Sequence, residues 1–128
     1  MKNYEIFSGK DLIVAAIEGE IVSRAYPDIE KEIVMNLNNI GNKKVVFNME
    51  KVGFIDSSGI IFLLRLKSMI SSGGGFMVIY NLQQNIEKSL VKLRLNKVLN
   101  LSKDAEQCFI DLWYMASDET LAVAASME

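Results

Sequence analysis

The sequence predicts an α/β fold, a small mixed sheet of four to five strands with about four helices, and three observations predict it. Short apolar runs bounded by turn residues alternate with stretches of helical spacing. In the middle of the chain a strand, an apolar helix and a second strand follow one another, which makes a right-handed parallel crossover unit. The first two apolar runs are separated only by Ser8-Gly9-Lys10-Asp11, a turn composition that makes an antiparallel hairpin.

Residues 4–7 and 12–17 are the arms of that hairpin. Pro27 then precedes Ile29, Ile33, Val34, Leu37 and Ile40 at helical spacing, with Gly41-Asn42 as the stop. Proline suits a first turn, whose amides need no partner, and glycine suits the end. Val45-Val46-Phe47 reads as a short buried strand, and an apolar helix over about residues 57–71 is closed by Gly73-Gly74-Gly75. Phe76–Tyr80 is the next strand, followed by a third helix over about residues 83–94 and a short strand at Val98-Leu99-Asn100-Leu101. Ser102-Lys103-Asp104-Ala105-Glu106 opens a fourth helix that reaches about Tyr114. Residues 1–115 make one domain, and residues 116–128 are a small-residue tail that extends the last helix or frays.

Composition removes several function classes. The 128 residues suffice for one core; half are apolar, 23% are charged and the formal net charge is -2. That balance excludes a disordered tail and a nucleic-acid binder relying on bulk charge. Histidine is absent, which takes away the imidazole base, Ser-His and Cys-His dyads and His-ligated metals. The single cysteine, Cys108, forms no intramolecular disulfide and holds no zinc alone. It reads as a small buried apolar residue of a reduced, intracellular protein. The longest apolar run, residues 12–17, has six residues, against about 20 for a membrane span. A cytoplasmic protein without membrane insertion, cofactor or metal is expected.

Charge is unevenly placed. Residues 1–42 carry 4 basic and 7 acidic groups, residues 43–102 carry 9 and 3, and residues 103–128 carry 1 and 6. The basic middle is either a set of solvated helix faces or a surface for an acidic partner or a phosphate.

The most informative segment is KVVFNMEKVGFIDSSGIIFLLRLKSM, where Asp56-Ser57-Ser58-Gly59 joins a strand to a helix. Asp and Ser cap helix N-termini because their short oxygens accept hydrogen bonds from the unpaired first-turn amides. A hydroxyl there also stands at the positive end of the helix dipole and at the rim of the sheet, where α/β folds place sites. Phe62, Leu63, Leu66, Met69 and Ile70 form a core stripe. Ile60, Ile61 and Leu64 fall outside it, to be covered by neighbouring elements or left as an apolar patch for a partner. Ser57, Ile61 and Arg65, spaced i, i+4 and i+8, share one face, so a partner on Ile61 would also touch Ser57.

These residues resemble the STAS domain family and, within it, the bacterial anti-sigma-factor antagonists. The resemblance runs to about residue 112 through GEI (Gly19, Glu20, Ile21), LNNIGNKKVVFNMEKVGFIDSSGI, the triple glycine, FMVIYNL and NKVLNL. Phe54-Ile55-Asp56 leading into the cap is its most specific part. The resemblance implies a non-enzymatic binding protein in which Ser57 is phosphorylated by the anti-sigma factor, itself a serine kinase, and restored by a serine phosphatase. It places Asp56, Ser58, Gly59, Ile61, Arg65 and Glu20 in the partner-binding surface; a monomer or weak dimer is expected, since a monomer fits a partner-binding switch. A non-switching scaffold subunit of a signalling complex or lipid-transporter assembly is the alternative it allows. Val22 stands where the family often has Asp, Ile61 and Arg65 where it often has glycines, and Arg94 where a glycine is common.

Enzymatic readings have little to rest on. Ser57 lacks a base, and Gly73-Gly74-Gly75 is followed by no Lys-Ser or Lys-Thr, so it is a turn rather than a phosphate-cradling loop.

Overall fold

Alternation along the first hairpin decides which way it faces. In the computed structural model, which describes residues 4–9, 12–21, 26–37 and 44–126 with backbone alone at 26–27, 37 and 116–126, β1 (Tyr4–Ser8) pairs antiparallel with β2 (Leu12–Ile21). Tyr4, Ile13, Ala15 and Ile17 are buried together on one face, as a side-chain period of two requires. Helix α1 (Tyr26–Leu37) lays Ile29 and Ile33 against the same face, with Pro27 in its first turn. The expected stop at Gly41-Asn42 lies outside the described residues.

β3 (Lys44–Ile55) is the central strand, parallel to β2 on one side and to β4 (Phe76–Tyr80) on the other. It is far longer than the expected 45–47. Asn48, Glu50 and Lys51 interrupt the apolar run, yet the backbone stays paired with β2 while Glu50 and Lys51 face solvent. Two register shifts in that pairing, between Ala16 and Glu18 and between Gly19 and Glu20, let Met49 and Val52, both buried, break strict alternation. Gly19 accommodates one of them with φ +86°, a backbone shape that glycine adopts without cost.

The sheet order is β1-β2-β3-β4-β5, with β5 (Leu101–Ser102) parallel to β4. An expected strand over 98–101 is therefore corrected to 101–102. Asn100 has φ 56° and donates from Nδ2 to the Met77 carbonyl at 3.0 Å, so the chain turns there before it can pair as a strand.

Helices α1, α2 (Ser57–Ser72) and α3 (Gln84–Lys92) cover one face of the sheet. α3 is shorter than the expected 83–94, because the chain reaches φ 60° at Arg94. α4 (Ala105–Ser126) covers part of the opposite face through Cys108 and Leu112, against Val46 and Val78. Its backbone continues past the expected end near Tyr114. Burial and the neighbouring Asp111 carboxylate push the Cys108 thiol up to about 11, so it stays a neutral, apolar filler.

Candidate functional site

Among the described residues β1 accompanies β2 as far as Ile17, and β4 accompanies β3 as far as Asn48. Beyond them the ends of β2 and β3 run on together to the rim, with Glu20 opposite Phe54 and Ile21 opposite Ile55. A single residue, Asp56, then connects β3 to α2. Its amide donates to the Ile21 carbonyl at 3.4 Å, so the connection is tied to β2 as well as to β3.

Asp56 caps α2 from an extended backbone, φ -93° and ψ -179°. Its Oδ1 accepts the Gly59 amide at 2.8 Å and the Ser58 hydroxyl at 2.5 Å. One carboxylate thus satisfies a first-turn amide and holds the second serine. Ser57 takes no part in that arrangement. It is exposed, and among the described residues its hydroxyl has no hydrogen-bond partner. The two adjacent serines are chemically separated by which way the first turn points them.

Gly59 is buried where no side chain fits: a β-carbon would stand 2.4 Å from the Ile21 carbonyl oxygen. Its part is the close approach of α2 to β2. Farther along α2, Phe62, Leu63, Leu66 and Ile70 are buried, while Ile60, Leu64 and Met69 pack partly against the core. Ile61 is 62% exposed. Of the three residues left open by the core stripe, neighbours cover Ile60 and Leu64, and Ile61 alone remains as an outward apolar group. Arg65, also exposed, pairs with Glu30 of α1 at 2.9 Å, which fixes its guanidinium beside the Ser57–Ile61 face.

The structure therefore joins Asp56, Ser57, Ser58 and Gly59 in one turn, extends the face through Ile61 and Arg65, and sets exposed Glu20 on the adjoining strand end. Val22 lies outside the described residues. Phe54, half exposed beside the cap, is a surface group that the sequence reading used only as a motif marker. Alternation with buried Val52 would have placed it inside, and the irregular pairing of β3 turns it out. Phe54, Ile60, Asn85 and Ser89 line a neighbouring cavity of about 210 Å3. Lys51 and Glu18 form an exposed pair at 3.4 Å on the same strand ends.

Among the described residues no cluster of three or more His, Cys, Asp or Glu is placed to hold a metal ion, and no helix is long and apolar enough to cross a membrane. The chemistry the site offers is that of an exposed hydroxyl on a rigid, positively polarised helix end.

The family model described as the STAS domain matches residues 6–108. The chain belongs to the STAS domain family. Its fold is shared with a Thermotoga maritima protein assigned as an anti-sigma factor antagonist, at 18% identity and TM-score 0.75, covering 85% of this chain and 93% of that one. The phosphorylated form of SpoIIAA, a Bacillus cell fate determinant, is similar at 18% identity and TM-score 0.64, with 84% and 96% covered. The STAS domain of a SulP transporter from Vibrio cholerae is similar at 20% identity and TM-score 0.64, with 91% and 88% covered. At these identities the likeness is one of fold, and it spans both regulators and a transporter domain.

Proposed function

We propose that this STAS domain is an anti-sigma-factor antagonist that binds an anti-sigma factor with serine-kinase activity when Ser57 is unmodified and releases it when Ser57 is phosphorylated. The observation that carries the reading is the division of labour between the two serines. Ser58 is held by the capping carboxylate, and Ser57 is exposed with its hydroxyl unengaged at the first position of α2. A kinase needs an accessible hydroxyl whose modification does not dismantle the fold, and Ser57 meets both conditions.

The switch follows from local electrostatics. Unmodified, the Ser57–Ile61–Arg65 face and the strand ends at Glu20 and Phe54 offer a partner a small polar group beside two outward apolar ones. A phosphoryl group on Ser57 adds about -1.5 to -2 charges. The helix N-terminus favours that charge by only about 0.3–1 kcal/mol at an exposed position. Covering it with a partner carries a penalty of several kcal/mol unless the partner supplies cations, and Asp56 next door adds repulsion. Phosphorylation thus expels the partner and leaves the domain folded; a serine phosphatase resets it in the cytoplasm. The chain contains no histidine, and the Asp56 carboxylate beside Ser57 is a weak base at neutral pH already engaged by Ser58 and Gly59, so Ser57 acts as a substrate of the kinase.

Binding of the wild type, Ser57→Ala and Ser57→Asp chains to the anti-sigma serine kinase of the same organism tests this. Wild type and Ser57→Ala bind, and Ser57→Asp binds at least tenfold more weakly; equal binding by all three contradicts the switch.

The second reading is a non-switching scaffold subunit of a signalling or lipid-transporter assembly. It is favoured by the bulk of Ile61 and by the Arg65–Glu30 pair, which make the face a fixed docking surface. Under that reading Ser57→Asp leaves the association unchanged.

A further inference from the structure

We propose that the sheet face turned away from α2 is a docking groove for one basic amphipathic helix of a partner protein, with β1, β2 and β3 as its floor and α4 as its wall. The floor follows from alternation. Tyr4, Ile6, Ile13, Ala15 and Ile17 point to the α1 side, so Phe7 and its ladder partner Val14 point the other way, together with Leu12 and Ala16. Phe7 is 59% exposed, and Leu12, Val14 and Ala16 are only partly covered. Leu12 and Val14 pack against the small cluster of Val46, Val78, Cys108 and Leu112, which places them beside α4.

The wall follows from the helix period. Cys108 and Leu112 face the sheet, and the hydrogen bond from Ser102 to Asp111 turns Asp111 to the β5 edge. Successive helix residues lie about 100° apart, so Phe109 and Trp113 fall on the opposite flank, toward β2. They are 61% and 64% exposed. α4 packs chiefly on β4 and β5, and among the described residues nothing else covers this face over β1 and β2.

A hairpin left open to water shows it polar residues, and a parallel pair such as β2 and β3 is ordinarily covered on both faces. Here the open floor is apolar. Three strands at about 4.8 Å span about 10 Å from first to last, which is the width of one helix with its side chains. Charge selects the helix. Exposed Glu5 shares the face of Phe7, exposed Glu50 follows inward-pointing Met49 in β3, and exposed Glu106 stands one turn before Phe109. Half-buried Lys44 offsets part of this charge, and Lys51 is occupied by Glu18 at 3.4 Å. An acidic apolar groove repels anionic lipid and nucleic-acid phosphates and draws Lys and Arg. α1, α2 and α3 bury their apolar stripes in the main core, and residues 103–128, which supply α4, hold six acidic groups and one basic. A second copy therefore has no basic amphipathic helix to offer, and the occupant belongs to another protein. Ser57 lies on the opposite side of the sheet and stays open when the groove is filled, so the inference does not depend on the function proposed above.

Trp113 is the only tryptophan and reports on the wall. The probe is a tryptophan-free peptide of about 18 residues with leucine at helical spacing and lysine elsewhere, titrated into the full chain. Trp113 emission is expected to shift to the blue and to saturate at one peptide per chain, with binding that weakens as salt rises. A counterpart peptide carrying glutamate in place of lysine binds about tenfold more weakly or less. Phe7→Gln with Phe109→Gln, both at exposed positions, weakens the lysine peptide about tenfold. Glu5→Lys with Glu106→Lys, a second exposed pair, does the same, and Val91→Gln with Leu93→Gln, at the end of α3, changes nothing. Absence of the blue shift, several peptides per chain, or indifference to both groove pairs overturns the proposal. So does an equal shift with vesicles of phosphatidylcholine and phosphatidylglycerol, which makes the face a membrane contact. A two-chain mass in sedimentation, with the same shift and no peptide, overturns it as well and makes the face a contact between copies.

Discussion

Gly59 and Ile21 meet so closely that a β-carbon on the glycine would lie 2.4 Å from the Ile21 carbonyl oxygen and 2.8 Å from Ile55 Cγ2. The first of these obstacles is backbone and cannot rotate aside. This contact sets the distance between α2 and the end of β2, and with it the direction in which the preceding residues of the turn point. Ser57 faces solvent because Gly59 faces inward.

Gly59→Ala must therefore push α2 away from β2. A loss of about 1–3 kcal/mol is expected, the usual range for overpacking, seen as a lower urea midpoint for cooperative unfolding. An unchanged midpoint would show that α2 approaches β2 less closely than described.

The two serines should separate by stability alone. Ser58→Ala removes the hydroxyl held by Asp56 at 2.5 Å and is expected to cost about 0.5–1.5 kcal/mol. Ser57→Ala removes a hydroxyl that bonds to nothing described and should stay within about 0.5 kcal/mol of wild type. Chemical denaturation of both variants side by side measures the difference, and the reverse order would contradict the assignment of the cap.

Arg94 adopts φ 60°, a left-handed backbone that strains any side chain carrying a β-carbon. Arg94→Gly should raise stability by about 0.5–1 kcal/mol, once the greater freedom of glycine in the unfolded chain is set against the relieved strain. Thermal melts at low protein concentration check it; a drop in the melting temperature would place residue 94 in ordinary right-handed or extended backbone.

Burial and Asp111 raise the Cys108 thiol from 9.0 to about 11, and burial also raises Tyr80, with Cys108 and Glu50 adding to it. In both cases the folded state holds its proton to higher pH than the unfolded state does. For Cys108 the contribution to stability is fully present below pH 9 and is lost as pH rises from about 9 towards about 11. Urea midpoints measured across that window should fall, and less steeply in Cys108→Ala. Native Cys108 should also react slowly with iodoacetamide at pH 8, and rapid native alkylation would contradict its burial.

Much of the fold was legible because its signals are local. The hairpin, the Phe76–Tyr80 strand and the capped α2 each carry their own punctuation, in Ser8-Gly9, in the triple glycine and in Asp56-Ser57-Ser58-Gly59. The length of β3 was not legible: Glu50 and Lys51 look like a loop, yet Lys51 pairs with Glu18 of β2 and Glu50 sits in the register shift, its amide donating to Asn48 Oδ1 and its carbonyl accepting from Gln83 Nε2. The strand at 101–102 was displaced because Asn100, a residue type that tolerates left-handed backbone, turns there to reach Met77, a contact that the apolar run around it does not encode. At the site, helical spacing correctly grouped Ser57, Ile61 and Arg65 on one exposed face. The Glu30 partner of Arg65 and the outward turn of Phe54 depend on tertiary contacts and irregular pairing that spacing does not encode.

The proposed switch requires Ser57 to be the phosphate acceptor, and phosphorylation in vitro tests that requirement. The chain is incubated with the anti-sigma serine kinase of its own organism and ATP, and the product is examined by intact mass and by site mapping of its peptides. A single added phosphate is expected on Ser57; it disappears in Ser57→Ala and leaves the unfolding midpoint nearly unchanged. No added phosphate, or one carried by Ser58 or by a residue elsewhere, would contradict it.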